Sequence, residues 1–170
     1  MTLAFLRDDP LPHGVVEAVC PHVRRVLCGN PGPFTWRGTN SYIIGRGEVA
    51  ILDPGPADEA HLHALLQAVA GETVTHLIVS HTHRDHSPGT AALQAATGAR
   101  TYGFGPHQTP AEAGGEGGDH DFVPDVAVPD GGTIEGQGWR LEAIHTPGHC
   151  ANHLCFGLAG TGTLFIGDHV

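Results

Sequence analysis

Residues 81–89 read HTHRDHSPG and place three histidines and an aspartate within six positions. They follow the largely apolar run HLIVS, residues 76–80. A packed core does not tolerate that many polar side chains unpaired, and a plain surface loop has no use for them. Metal ligation does. His81 and His83 are two apart, so an extended backbone points both the same way. Asp85 and His86 follow where the chain turns towards Ser87-Pro88-Gly89, and the turn aims them at a neighbouring point. One metal on His81 and His83, with a second on Asp85 and His86, fits this spacing better than four ligands on one ion. Imidazole nitrogen and carboxylate oxygen suit zinc, and also iron or manganese. The competing reading is a polar helix start with Asp85 or Ser87 as N-cap.

Two later stretches end in the same kinds of side chain. In HTPGH, residues 145–149, Pro147 and Gly148 fix a turn that presents His149. In FIGD, residues 165–168, a strand runs into Gly167 and delivers Asp168. Taken alone, each is ordinary turn chemistry.

The elements that must position these residues are legible in outline. Residues 23–28 read as a strand, and residues 29–38, GNPGPFTWRG, as a loop. Residues 40–44 and 49–52 are apolar runs split by Gly45-Arg46-Gly47-Glu48, a hairpin pattern. Residues 57–70 carry Leu62, Leu65, Leu66 and Val69 at helical spacing, with acidic residues in the first turn and Gly71 to end the helix. A buried strand at 74–80 leads into the histidine cluster. A second helix is expected at 89–97, stopped by Gly98, and a strand at 100–103. This alternation of strand and helix is α/β layering. Residues 105–129 are rich in Gly, Pro, Asp and His and read as a surface loop over the site. Further strands are expected at 132–134, 139–144, 153–156 and 163–166.

Composition bounds the rest. The 170 residues suit one domain, and 40% hydrophobic content supplies a core. The formal net charge of -10 argues against broad nucleic-acid binding, since phosphate contacts need basic side chains. A narrow RNA cleft stays open because metal ions bring positive charge of their own. Of 14 histidines, His13, His22, His61, His63 and His107 lie outside any sequence cluster and read as solvated. The cysteines Cys20, Cys28, Cys150 and Cys155 form no C-x-x-C pair. Cys150, beside His149, reads as a small core residue. His153 and His169 lie near the candidate site, to touch substrate or support the ligands. The N-terminus lacks the long apolar region of a signal peptide, and no run suits a membrane span. The expected setting is cytoplasmic, with reduced thiols and no membrane partner.

The combination H-x-H-x-D-H, then T-P-G-H, then strand-G-D resembles the hydrolase signature of the metallo-beta-lactamase superfamily. The resemblance runs from the Asn40 region, through Ile51-Leu52-Asp53-Pro54-Gly55, to Asp168. It implies an α/β fold, the αββα sandwich of two β-sheets with helices outside and a metal site at the strand ends. It implies two zinc ions: His81, His83 and His149 on the first, Asp85 and His86 on the second, and Asp168 bridging both. Asp53 matches the family's supporting aspartate beside the metal loop. Two metals sharing a water lower its pKa, so that hydroxide exists near neutral pH and attacks a carbonyl or phosphoryl centre. Asp85 would orient that hydroxide as it ligates.

The family's second metal takes a further histidine from downstream, and this sequence ends two residues after Asp168. The expectation is therefore that residues 1–170 form one such domain, truncated on its C-terminal side, holding the N-terminal portion of the sandwich. An unfinished sandwich exposes apolar surface and invites homo-oligomerisation.

The stretches NPGPFTWRGTNSYIIGRGEVAILDPGPADEAHL, HTPGHCANHLCF and LFIGDHV resemble the group around beta-lactamase-like protein 2, whose members include single-strand endoribonucleases. Glyoxalase II, a thioesterase, shares the matched ligands. The substrate is then a small-molecule ester or thioester, or a phosphodiester such as single-stranded RNA. Trp36, Arg37 and Asn40 sit in a loop placed to border the site. A mononuclear iron persulfide dioxygenase and an inactive fragment are the readings from other classes.

Overall fold

The structure is a computed structural model that describes residues 11–108 and 117–169. Its strands form two sheets. The larger contains β1 (Val16–Cys20), β2 (Val23–Leu27), β3 (Asn40–Arg46), β4 (Glu48–Leu52), β5 (Thr73–Ile78), β6 (Arg100–Gly103) and β7 (Val126–Ala127), in that spatial order. Strands β1 to β4 pair antiparallel, and β4 to β7 pair parallel. The smaller sheet is antiparallel, in the order β11 (Thr163–Phe165), β10 (Leu154–Leu158), β9 (Trp139–His145) and β8 (Thr133–Gly136). Two helices, α1 (Glu59–Ala68) and α2 (Gly89–Thr97), cross between the parallel strands.

The central strands of the larger sheet are buried on both faces, which explains their continuous apolar runs. Ile44, Ala50, Leu52 and Ile78 pack against Leu141, Leu154 and Phe156 of the smaller sheet. Their strand neighbours Ile43, Val49, Ile51 and Leu77 point the other way and pack on Leu65 and Leu93 of the helices. The period of two in each strand thus sorts one sheet's side chains into two cores.

Asp58 caps α1 by accepting the His61 N–H at 2.7 Å. The last turn of α1 carries no basic residue of its own, and Arg24 from β2 supplies one. Its Nη1 donates to the Ala68 carbonyl at 3.0 Å, and its Nη2 pairs with Glu72 at 2.6 Å. The helix ends at Ala68, before the expected Gly71. Helix α2 stops where the sequence indicated, with Gly98 in the left-handed region at φ 71° and its N–H on the Gln94 carbonyl.

Two elements and one residue depart from the sequence reading. Strand β1 was not expected, and its exposed face explains why: at an outer edge, it shows no alternation of buried and exposed residues. Within the expected loop 105–129, residues 117–129 hold more order than a plain loop, with β7 among them and Phe122 and Val128 buried. The part of that expected loop at 109–116 lies outside the described residues. His61 is 3% exposed, not solvated. Cys150 and Cys155 are buried, and all four cysteines are free thiols. Among the described residues, no helix is long and apolar enough to cross a membrane.

Candidate metal centre

The carboxyl ends of β4 and β5 lie side by side, and the turns after β9 and β11 reach the same edge from the other sheet. Asp53 follows β4 with φ 52°, a conformation aspartate tolerates better than most residues. Its carboxylate is 4% exposed and accepts three hydrogens. Oδ1 takes the Ser80 N–H at 2.7 Å, and Oδ2 takes the Ser80 hydroxyl at 2.8 Å and His86 Nδ1–H at 3.1 Å.

These bonds fix the neighbouring tautomers. The Ser80 hydroxyl hydrogen is committed to Asp53, so the contact of Ser80 Oγ with His81 Nδ1 at 3.0 Å is donated by the imidazole. The lone pair of His81 is therefore on Nε2, turned towards His83 Nδ1 at 3.1 Å. His83 Nδ1 in turn lies 2.8 Å from His149 Nε2. His86 uses its Nδ1–H on Asp53 and presents Nε2 to two carboxylates, Asp85 Oδ2 at 3.1 Å and Asp168 Oδ1 at 3.5 Å. Asp168 Oδ2 is also 3.5 Å from His149 Nε2 and 4.0 Å from His81 Nε2.

Two overlapping donor groups result: His81, His83 and His149, and His81, His86 and Asp168. Tetrahedral ligands held at ~2.0–2.1 Å lie about 3.3 Å apart. The observed nitrogen spacings of 2.8 and 3.1 Å are close to that. Nitrogen lone pairs converging with carboxylates suit a borderline cation such as zinc. Asp85 stands outside both groups, tied to the second through His86.

Electrostatics agree. Burial, followed by the neighbouring imidazoles His86 and His83, pushes His81 far below its usual range and keeps it neutral. Burial also opposes charge on His86, but Asp53, Asp168 and Asp85 outweigh it and raise its pKa well above the usual value. Burial likewise opposes charge on Asp85 and Asp168, and contact with His86 reverses this and lowers both. Carboxylates that draw a proton to His86 Nε2 also draw a metal cation there.

Neither Asp85 nor Ser87 caps α2, whose N-cap position is Pro88 without a side-chain bond, so the polar helix start does not account for the cluster. Two clefts open on the centre. One, of about 310 Å³, runs from Asp85, His86 and Asp168 to an apolar wall that includes Val19, Phe34 and Tyr42. The other, of about 570 Å³, is lined by Phe34, Thr35, Arg84 and His149 among others. Asn40 lines the first cleft as expected. Trp36 instead is 54% exposed, and the Arg37 carbonyl accepts from His13.

Sequence reasoning placed His153 near the site without its partners and missed Asn152, Thr82, His107 and His61. His153 is fully buried: its Nε2 accepts the Asp168 N–H at 3.1 Å, and its Nδ1 faces the Thr146 hydroxyl at 2.8 Å. It therefore joins the turn bearing His149 to the turn bearing Asp168. Gly167 allows this, because a Cβ there would lie 2.6 Å from His153 Nε2. Buried Asn152 donates to Thr82 Oγ1 and the Gly105 carbonyl, and Thr82 Oγ1 also contacts His107 Nδ1. His107, expected to be solvated, is thereby held beside the centre. His61 donates to the Ser41 hydroxyl, which donates to the Asp53 carbonyl. Its placement four residues before Leu65, on the buried face of α1, was the available signal.

Residues 34–170 match the family model of the Metallo-beta-lactamase superfamily. The chain belongs to that superfamily. A lactamase-like protein of Pestalotiopsis microspora is 34% identical over 96% of this chain and 48% of its own length. An atrochrysone carboxyl ACP thioesterase of Aspergillus chevalieri is 32% identical over 96% of this chain and 50% of its own length. The chain thus spans about half the length of these superfamily relatives. Among solved structures, a Cronobacter sakazakii metallo-beta-lactamase with a HARLDQ motif superposes with a TM-score of 0.68 at 22% identity, covering 88% of this chain and 62% of that one. MEM-A1, a subclass B3 enzyme from a soil metagenome, gives 0.66 at 20% identity, covering 93% and 62%. At these identities the likeness establishes the αββα sandwich fold alone, of which the described residues form two sheets and two helices.

Proposed function

We propose that the protein is a metal-dependent hydrolase of acyl substrates, with a thioester as the favoured class. The observation that carries this reading is the convergence of His81, His83, His149, His86 and Asp168 into two donor groups sharing His81. In this reading His81, His83 and His149 hold one zinc ion, Asp85 and His86 hold a second, and Asp168 serves both. Bound there, the metals would lower the pKa of water and polarise the attacked carbonyl. The protein's own groups do the rest. Asp53 fixes the tautomers of His81 and His86, Asp85 orients the attacking water, and the apolar wall of the first cleft excludes bulk solvent.

Two facts favour a thioester over single-stranded RNA and the beta-lactamase-like protein 2 reading. Relatives are named as ACP thioesterases. The sequence contains no lysine, and among the described residues lining the two clefts Arg84 is the sole arginine. A polyanion needs several such contacts.

The test is elemental analysis of protein purified without added metal, combined with thiol release from a simple acyl thioester before and after chelation. Bound zinc or manganese with chelator-sensitive thiol release is the expected result. A folded protein that holds no metal would sink the reading, and one iron per chain would move it to the persulfide dioxygenase.

A further inference from the structure

Asp85 is held by a loop outside the metal motif. Thr39 closes the loop 29–39 and is 5% exposed. Its hydroxyl lies 3.2 Å from Asp85 Oδ2. Two bonds join Thr39 to Asn30: the Thr39 N–H donates to Asn30 Oδ1 at 2.9 Å, and Asn30 Nδ2 donates to Thr39 Oγ1 at 3.1 Å. Because the amide fills an acceptor site on the hydroxyl, the hydroxyl hydrogen is directed at Asp85. The backbone is equally fixed. The Thr39 carbonyl accepts from Cys28 N–H at 2.9 Å. Gly38 has φ 136°, and a Cβ there would lie 2.0 Å from the Cys28 carbonyl oxygen.

We propose that Thr39 is a positioning residue for Asp85, through which the loop carrying Phe34 and Trp36 holds that carboxylate at the candidate metal centre. The proposal rests on the metal reading above. His86 Nε2 contacts the same Asp85 Oδ2 at 3.1 Å. Without the Thr39 hydroxyl the carboxylate is left to its own backbone N–H and the imidazole, and it swings towards His86.

The test is zinc affinity measured by chelator competition for the wild-type protein and for Thr39→Val, Thr39→Ser and Asn30→Ala. Thr39→Val keeps the shape and removes the hydroxyl, so the more weakly held ion should lose roughly 10–100-fold in affinity, as when a ligand's supporting group is removed. The ion on His81, His83 and His149 should be unaffected, and Thr39→Ser should restore binding. A brace that only stabilises the loop would lower the melting temperature without this ion-selective loss. Wild-type binding by Thr39→Val, or a loss in Thr39→Ser as large as in Thr39→Val, overturns the proposal. If Thr39→Val does not fold, Asn30→Ala decides: a smaller loss at the same ion supports the proposal, and no loss overturns it. Failure of the metal reading is separately visible, as the wild-type protein alone would bind no zinc.

Discussion

At the residue scale, Asp53 acts on the centre without belonging to either donor group. It accepts from Ser80 and His86, and through Ser80 it leaves the His81 lone pair on Nε2. Asp53→Asn puts an amide NH2 or a weaker acceptor against these donors and reverses at least one tautomer. Metal affinity should fall by roughly 10–100-fold with the fold retained, read by chelator competition alongside circular dichroism. Unchanged affinity would remove Asp53 from the account. His83→Ala is the sharper change, because His83 Nδ1 lies between His81 Nε2 and His149 Nε2. It should abolish binding of the ion at that group, and a variant with full metal content would contradict the ligand assignment.

At the element scale, α1 stabilises the centre through His61. Burial lowers the His61 pKa from 6.5 to about 4. Its Nε2–H donates to Ser41 in either protonation state, so what acid costs is the buried charge and not this bond. A pKa depressed in the fold means that the stabilisation is complete above pH 6.5 and is lost as pH falls from there towards 4. The loss amounts to about 3 kcal/mol at most. The urea midpoint should therefore drop across that window, and His61→Gln should flatten the drop. Equal slopes for both proteins would place the acid sensitivity elsewhere. The turn after β9 is braced in a comparable way. His145 stacks on Phe104 with ring centroids 4.1 Å apart, and its N–H donates to Asp130 at 2.8 Å.

At the scale of the whole molecule, the candidate ligands come from both sheets. His81, His83, Asp85 and His86 follow β5, while His149 and Asp168 follow strands of the smaller sheet. A metal held by both sets ties the sheets together across their shared core. Metal at 100 times its dissociation constant adds about 2.7 kcal/mol to the folded state, a shift of roughly 5–10 °C in melting temperature. Chelation should reverse that shift in calorimetry, and a melting temperature indifferent to metal would show that the two sheets share no bound ion.

The sequence alone determined the elements whose burial follows a simple period, and the turns that carry the candidate ligands. Strands β3 to β5 are largely buried on both faces, and helix α2 ends at a glycine in the left-handed region, so local rules sufficed. The histidine and aspartate cluster was legible because its candidate ligands are crowded along the chain, and His149 and Asp168 because each lies in a turn that follows a strand. Only the tertiary structure brought those two beside His81, since their sequence separation holds no distance information. It alone also revealed Thr39, Ser80 and His61, and the partners of His153. Each acts through hydrogen bonds to residues elsewhere in the fold, and a single polar side chain leaves no pattern in sequence to announce its partners. Strand β1 stayed hidden for a related reason: an exposed edge strand is held by pairing with its neighbour, and its own side chains record nothing of that pairing.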